Sequence, residues 1–598
     1  MNGAKVFIES MIKSGVDTTF GFPGGQVIPL FDAYLDYEDQ IRNVLVRHEQ
    51  AAAHAAEGYA RASGRVGVCV ATSGPGACNL VTGIADAYMD SVPIVAIGGQ
   101  VPTRLIGNDA FQETDMIGVT LPITKHNFQI RDSKDVESTV AKAFKLSLNG
   151  RPGPVYIDFP KDVQSQKVGK RITDEEFRNI QIKGFDPTII ANDMQISRAA
   201  DLMIKSLRPI ILAGGGIISS NASNELREFA QLFGIPVCTT LMGKSCFDET
   251  HPLSLGIVGM HGRRIANYAM MNSDVVLVIG CRFSDRITGD TNTYLNDAKI
   301  IHIDIDPAEI GKNVEVTIPI VANAKNALSQ LLEAIIMKVE KIERTDSISS
   351  ASKKNIIGNP EWIDRIKKYK TACDACVNFP SKAGNQGVAG SAAKIFPKSI
   401  IDELNKIMDK DDIITTGVGQ HQMFAMHYLK LRTPRTWISS GGAGTMGFGL
   451  PAAIGAKFAK PQSNVYNIDG DGSFQMSIQE LETIRSNNVR LTSIIFNNSY
   501  LGMVRQWLEL FNDKRYSQVN LGSEIDFAKI SRAYGLEGVT VEKTSELPDA
   551  LKNARDSSKA TIIDVKIEEE SNVLPMMTPG GNYKTVFGKC MKGPGEYF

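Results

Sequence analysis

The chain carries one local plan twice, near its start and far downstream. In the first copy, VGVCVA (66–71) meets the turn TSGPGA, then a helical stretch NLVTGIADAYMD and the strand VPIVAIGG (92–99). In the second, NVYNI (464–468) meets DGDGS, then FQMSIQELETIRSNN and VRLTSIIFNN (489–498). Val66 to Val92 and Val465 to Val489 are nearly equal distances. Continuous apolar strands alternating with helices build parallel sheets covered on both faces. Between the copies, RPIILAGGGIISSNASNELREFAQLFG reads as strand, Gly214-Gly215-Gly216, then a helix capped at Ser220 or Asn221. DVVLVIGCRFSDRITG (274–289) and KIIHIDIDPAEIG (299–311) add two strands ending in Arg- and Asp-bearing turns. The expectation is an α/β chain: a duplicated nucleotide-binding-like fold with a different α/β insert between the copies.

Length alone, 598 residues, allows about four domains of ~150 residues, or three large ones. Three blocks are expected at 1–165, 189–340 and 375–565. They are separated by the polar segment 166–188 and by KIERTDSISSASKKNIIGNPEW, with a capping tail at 566–598. Lys+Arg is 65 and Asp+Glu is 66, a balance that argues against nucleic-acid or anionic-membrane partners. The start lacks the apolar core of a signal peptide, and no run approaches the ~18 apolar residues of a membrane span. Eight scattered cysteines suit a reducing, cytoplasmic setting. Cys373 and Cys376 form one CxxC without a second ligand pair, and the eight histidines show no HExxH, so a His-held catalytic metal is not expected. The 53 glycines cluster at strand-to-helix turns, where their backbone N–H groups can approach phosphate-bearing ligands.

The strongest chemical signal is Gly470-Asp471-Gly472 followed, after 24 intervening positions, by Asn497-Asn498. An Asp between two glycines at a strand end reaches a cation with little obstruction. A helix and returning strand then bring Asn498 beside it. Asp and Asn oxygens, a backbone carbonyl and diphosphate oxygens make a hard-cation octahedron suited to Mg²⁺. This pattern resembles the thiamine-diphosphate enzymes. The resemblance implies Asp471, Asn498 and the Tyr500 carbonyl as Mg²⁺ ligands. It also implies three doubly wound domains: pyrimidine-binding, central, and diphosphate-binding.

The same resemblance gives further residues a role. Glu49, in VRHEQAAAHAAEGYAR (46–61), corresponds to the carboxylate that hydrogen-bonds N1′ of the aminopyrimidine and so activates the thiazolium C2. In SSGGAGTMGFGLPAAIGA (439–456), Met446 matches the residue that props the cofactor into its bent shape, and the Gly444 carbonyl the acceptor for N4′. Gly417, Gln420 and His421 resemble a diphosphate-contacting turn. Gly470, Gly472, Ser473 and Met503 complete the expected cofactor contacts.

Nearly the whole chain is similar to the acetolactate synthase (acetohydroxyacid synthase) branch of that family, in its catalytic subunits. The segments that carry this include FGFPGGQVIPLFDAY (20–34), NDAFQETDMIGVTLPITKHNF (108–128), GCRFSDRITGD (280–290) and NNSYLGMVRQWLELF (497–511). The implied reaction decarboxylates pyruvate. The two-carbon unit passes to a second pyruvate, giving 2-acetolactate, or to 2-ketobutyrate, giving 2-aceto-2-hydroxybutyrate, on the route to valine, leucine and isoleucine. Arg286 matches an arginine that pairs with the acceptor carboxylate, and Trp507 a residue shaping the acceptor pocket. Phe111, Gln112 and Lys161 match the substrate channel. The middle block resembles an FAD domain. Its contacts would come from Arg151, from the turn Gly214, Gly215 and Gly216, and from Met260, His261 and Gly262. Arg282, Asp304 and Asp306 complete that set. The resemblance further implies a homodimer or homotetramer, with Glu49 and Asp471 meeting across the subunit interface, and a separate small regulatory subunit. Three positions depart from the branch: Gln26 in place of a small residue, Ser284 for the first Asp of FDDR, and Asn323 where an Asp contacts FAD. The neighbouring alternatives are a pyruvate oxidase or another FAD-type thiamine-dependent decarboxylase, against which Arg286 and Trp507 discriminate.

Overall fold

The computed structural model describes residues 1–346, 357, 359–378, 394–522, 525–578, 580–581 and 586–587. The chain forms two compact units. The first comprises Met1–Asp186, Lys394–Gln422 and Arg435–Glu570; the second comprises Pro187–Ala393, Met423–Pro434 and Ser571–Phe598.

The first unit holds two six-stranded parallel sheets. The N-terminal sheet contains β1 (Thr18–Phe22), β2 (Arg42–Leu45), β3 (Gly67–Ala71), β4 (Ile94–Gln100), β5 (His126–Gln129) and β6 (Val155–Pro160). Their order is β2-β1-β3-β4-β6-β5. The second unit holds β7 (Pro209–Ala213), β8 (Val237–Thr239), β9 (Ser254–Ile257), β10 (Val275–Ile279), β11 (Lys299–Asp304) and β12 (Ile318–Val321), in the order β12-β11-β10-β7-β8-β9. The C-terminal sheet, in the first unit, contains β13 (Ile413–Thr416), β14 (Trp437–Ser439), β15 (Val465–Gly470), β16 (Thr492–Asn497), β17 (Glu537–Val541) and β18 (Thr561–Lys566). Its order, β14-β13-β15-β16-β18-β17, repeats the N-terminal sheet strand for strand. The duplication expected from the two Gly-turn units is present, and the insert has a topology of its own. Every residue of β3, β4, β15 and β16 is buried, as unbroken apolar strands covered on both faces must be.

One apolar core runs through the first unit, joining Phe20, Cys69 and Ala96 to Ile413, Ile454 and Ile495. Its centre is a pair of helices, Glu49–Ser63 and Gly449–Ala459, pressed together at their backbones. A Cβ on Gly58 would overlap the Ala452 carbonyl, and one on Gly455 the Ala55 carbonyl. The alanine-rich sequence AAAHAAEGYA is what permits so close an approach.

Several expectations change in detail. The segment 166–188 is not wholly irregular: Thr173 and Glu176 form a reciprocal capping box on a short helix, Asp174–Arg178. Neither Ser220 nor Asn221 is an N-cap; Ser220 is instead the C-cap of a short helix, its N–H donating to the Gly216 and Ile218 carbonyls. Gly214 opens that helix, Gly215–Ser219, and a second helix, Ser223–Phe233, starts after Ala222. Residues 347–356 and 358 of the second expected linker, residues 379–393, the Cys376 side chain and, in the tail, residues 579, 582–585 and 588–598 lie outside the described residues. Among the described residues, no helix is long and apolar enough to cross a membrane.

Candidate functional site

Ligands of open α/β sheets bind beyond the carboxyl ends of the strands, where the strand order reverses. In the C-terminal sheet that point lies between β13 and β15, and most of the expected cofactor residues gather there. Asp471 follows β15 directly and is 4% exposed. Its carboxylate accepts backbone N–H bonds from Gly472 and Ser499, which sets it beside Asn498 past the end of the neighbouring β16. Burial pushes the Asp471 carboxyl up to about 7 in spite of those bonds. A cation at this position is therefore what the ionised form needs, and the oxygen donors present are hard ones. Asn498 Oδ1 accepts the Tyr500 N–H at 3.2 Å, and its Nδ2 lies 3.5 Å from Gln420 Oε1. Gln420 in turn donates to Gln506 at 2.9 Å.

Glycine is required around this cluster by contact. A Cβ on Gly417 would overlap Asp469 Oδ1 and Ser473 Oγ, one on Gly502 the Gln420 amide, and one on Gly470 the His421 ring. Ser473 Oγ also accepts the Gly447 N–H at 3.0 Å, tying Gly470–Ser473 to the loop that carries Gly444 and Met446. The Met446 methyl lies 3.6 Å from where a Gly472 Cβ would stand. Gly444 and Gly447 have φ of 67° and 86°, a left-handed backbone that glycine adopts without strain. His421 sits 3.6 Å from Asp469 Oδ1, and burial holds its imidazole down to about 3, so it is neutral. Asp469, itself buried, is pushed up to about 7. Its place in the turn had no sequence signal beyond its neighbourhood. Met503 and Trp507 share the helix Gly502–Phe511, where Trp507 meets the Phe511 ring edge-on at 5.5 Å.

Glu49 occupies a different neighbourhood, at the first position of its helix after the N-cap His48. Its Oε2 accepts from Asn79 Nδ2 at 2.9 Å, and its Oε1 would be 3.1 Å from a Cβ on Gly76. Among the described contacts it does not meet the Asp471 cluster. Gln112 has a φ of 61° and borders Gly74 at the end of β3, while Phe111 is 85% exposed beside it. Lys161 begins the short helix after β6. At Gln26, the backbone N–H donates to Thr72 Oγ1 at 3.2 Å, and the side-chain Oε1 is buried without a partner.

Two carboxylates that the sequence did not single out join the halves of this unit. Glu480, beyond Asp471, accepts the Arg47 N–H next to Glu49. Asp90, in the N-terminal half, accepts the N–H groups of Gly441 and Gly442 at 2.8 and 2.7 Å. Both are polar residues after apolar helical stretches, and only the fold reveals what they hold.

In the second unit the strand order, read outward from β7, is the dinucleotide-binding 3-2-1-4-5-6, with its reversal between β7 and β10. Gly214-Gly215-Gly216 and Gly280 end those two strands. Two of the three glycine amides are already used, Gly214 N–H to Ile279 and Gly216 N–H to Gly280. The glycines therefore serve first to bring the turns together. Asp304 ends β11 and accepts the Asp306 N–H at 2.9 Å. Met260 and Arg286 are brought together: the Met260 N–H donates to the Arg286 carbonyl, and Arg286 Nη1 lies 3.6 Å from Met260 Sδ. His261 is half-buried, with its Nδ1 enclosed and unpartnered, and Met260, Gly262, Asn267 and Tyr268 line a cavity. This set of glycine turns, strand-end acids and a free imidazole nitrogen fits a dinucleotide. Arg282 lends its carbonyl to Asn313 Nδ2 at 3.2 Å. Arg151 belongs to the first unit, where its Nε donates to Ser91 Oγ at 2.8 Å. Of the departures, Ser284 opens the helix Asp285–Thr288, and Asn323 Oδ1 accepts the Lys325 N–H at the start of the helix Ala324–Asp346.

Comparison with known proteins matches three stretches of the chain to three family models. They are the N-terminal TPP binding domain of thiamine pyrophosphate enzymes (residues 1–119), the central domain (196–331) and the C-terminal TPP binding domain (417–565). A probable acetolactate synthase large subunit of Methanocaldococcus jannaschii is 48% identical, across 98% of this chain and 95% of its own. The acetolactate synthase large subunit of Corynebacterium glutamicum is 44% identical, across 97% and 89%. An acetolactate synthase of Mycobacterium bovis is 41% identical, across 97% and 90%. With matches of this extent over the whole chain, and all three thiamine pyrophosphate domains in order, the chain belongs to the acetolactate synthase large-subunit family.

Proposed function

We propose that the chain makes 2-acetolactate from two pyruvates, and 2-aceto-2-hydroxybutyrate when 2-ketobutyrate is the acceptor. It does so with thiamine diphosphate and Mg²⁺. The observation that carries the cofactor reading is the buried Asp471 set beside Asn498 at the strand-order reversal of the C-terminal sheet. Asp471, Asn498 and the Tyr500 carbonyl would hold Mg²⁺, with Gly417, Gln420, His421, Gly470, Gly472 and Ser473 around the diphosphate. Bound thiamine diphosphate supplies the electron sink that lets a 2-keto acid lose CO₂. Met446 and Gly444 would hold the cofactor bent, with Met503 near it, an orientation effect. Glu49 would hold a proton at N1′ of the pyrimidine.

Arg286 would pair with the acceptor carboxylate through its guanidinium fork. Trp507 would shape the acceptor pocket, where one methyl is worth ~1–3 kcal/mol. Phe111, Gln112 and Lys161 would line the approach. FAD, held at the reversal point of the central sheet, would be structural, since the reaction has no net redox change. Because Glu49 and Asp471 lie in separate neighbourhoods of one chain, we infer that a second copy completes the site. A small subunit is proposed because the relatives are named large subunits. The eight scattered cysteines suit the cytoplasm.

The test is product analysis with pyruvate, with and without 2-ketobutyrate, after adding Mg²⁺, thiamine diphosphate and FAD. The two acetohydroxy acids are expected; acetaldehyde or peroxide as the main product overturns the reading. Glu49→Gln should abolish carboligation with the circular-dichroism spectrum unchanged.

A further inference from the structure

Glu480 ends a single 3-10 turn, Ile478–Glu480, in the same segment as Asp471, and its side chain is fully buried. A buried carboxylate has to be hydrogen-bonded, and the partners here are informative. Both oxygens accept the Arg47 N–H, at 3.0 and 3.2 Å, and the His48 N–H also faces this carboxylate. Thr483 Oγ1 donates to Oε2 at 2.6 Å. The Arg47 guanidinium turns elsewhere, to the Leu45 and Val46 carbonyls and to Glu482. Glu480 is thus bound mainly to backbone, and that backbone is the extended segment immediately before Glu49. His48 is the N-cap of the Glu49 helix, with φ −153° and ψ 140°.

We propose that Glu480 is a positioning residue for Glu49: it fixes the two peptide units that aim the Glu49 carboxylate. The proposal rests on the reading of Glu49 given above. A carboxylate gripping two successive amides fixes both the position and the direction of the chain entering the helix. The Asn79 bond then fixes the other end of the Glu49 side chain. The diphosphate-binding half of each chain therefore sets the aim of that same chain's pyrimidine-facing acid. A displacement of about 1 Å at a reacting group can cost ~10²-fold in rate, so the effect should be large.

The test uses the holoenzyme with Mg²⁺ and thiamine diphosphate, and compares the parent with Glu480→Gln, Thr483→Val and Glu49→Gln. Glu480→Gln keeps the shape but places an NH₂ against a backbone donor. Exchange of the cofactor C2 proton for deuterium and kcat should fall together by ~10–100-fold, while KM for pyruvate and cofactor Kd change less than ~3-fold. Amide exchange of the 46–50 backbone in the cofactor-free chain should rise at least ~10-fold with the global melting temperature little changed. Thr483→Val, which removes only the hydroxyl donor, should shift the same readouts in the same direction by ~3–10-fold. The proposal is overturned if folded Glu480→Gln and Thr483→Val exchange the C2 proton at the parent rate. It is also overturned if local amide exchange is unchanged, which would leave Glu480 with a packing role. If Glu49→Gln itself exchanges at the parent rate, the reading of Glu49 fails, and Glu480 falls with it. If Glu49→Gln abolishes exchange and Glu480→Gln does not, only the positioning role fails.

Discussion

The N-terminal and C-terminal sheets have the same strand order, yet they present different chemistry at the same edge. After β15 comes Asp471, a buried carboxylate; after β3, at the equivalent place, comes Thr72, whose hydroxyl accepts the Gln26 N–H. One strand further out the two sheets match again. Asn497 on β16 bridges to Asp564 on β18 at 2.9 Å, and Gln100 on β4 approaches Asp158 on β6 at 3.4 Å. The duplicated scaffold is thus kept as far as an amide–carboxylate bridge across neighbouring strands. What differs is the turn itself: the C-terminal one carries the buried Asp471 carboxylate and the N-terminal one the Thr72 hydroxyl, while the acid Glu49 stands on the helix that follows β2. The halves then hold each other: Glu480 grips the chain before Glu49, and Asp90 grips the glycine loop before Met446.

The comparison breaks most visibly at the two turns. Asp471→Asn keeps the shape and removes the charge. Thiamine diphosphate affinity at fixed Mg²⁺, measured by calorimetry on the cofactor-free chain, should fall by at least ~10²-fold. Thr72→Ala, at the equivalent position, should leave it within ~3-fold. Equal losses would mean that the cation is not confined to the C-terminal turn. The next effect concerns how closely the halves can pack. Gly455→Ala and Gly58→Ala each push a methyl into a backbone carbonyl of the facing helix. Each should cost about 3 kcal/mol or more in urea unfolding. Gly169→Ala, where a Cβ meets open space, should be neutral or slightly stabilising. A neutral Gly455→Ala would show that the helices can move apart freely.

Much of this was legible in the sequence because it rests on local pattern. Unbroken apolar strands and glycine turns announce the parallel sheets. Asp471 and Asn498 announce themselves because the spacing between them suits a helical stretch and a returning strand, although that stretch folds as two short helices, Asp471–Gln475 and Leu481–Ser486, around the turn Ile478–Glu480. The central glycines were legible as a turn, but not that two of their amides are taken by backbone partners on β10 and beyond. Glu480, Asp90 and Asn79 could not be read, because their partners are backbone or side chains brought close only by folding. A Glu in QELET and an Asp closing an amphipathic helix look like solvated ends. The N-cap expected at Ser220 or Asn221 failed for a related reason. The chain turns early there, with Asn221 at a φ of 54°, and the next helix starts without a side-chain cap.

The smallest effect sharpens the comparison at the strand bridge. Asp564 pairs with Lys566 Nζ at 2.8 Å, whereas among the described residues Asp158 has the amides of Gln100 and Gln129 and the Tyr156 hydroxyl. Without a cation nearby, burial dominates and pushes the Asp158 carboxyl from 3.8 up to about 6. A carboxyl raised on folding binds more protons in the native state. Its contribution to stability is therefore complete below about 3.8 and is lost as pH rises through about 6. The loss amounts to no more than about 3 kcal/mol. Other carboxyls titrate in the same range, so the informative quantity is the difference between parent and Asp158→Asn across pH 4–7, from urea midpoints. The variant should gain on the parent steadily through that window and run parallel to it above. A difference curve flat from pH 4 to 7 would show that the Gln100 and Gln129 amides compensate burial in full. The two bridges would then be electrostatically alike despite the lysine that only one of them has.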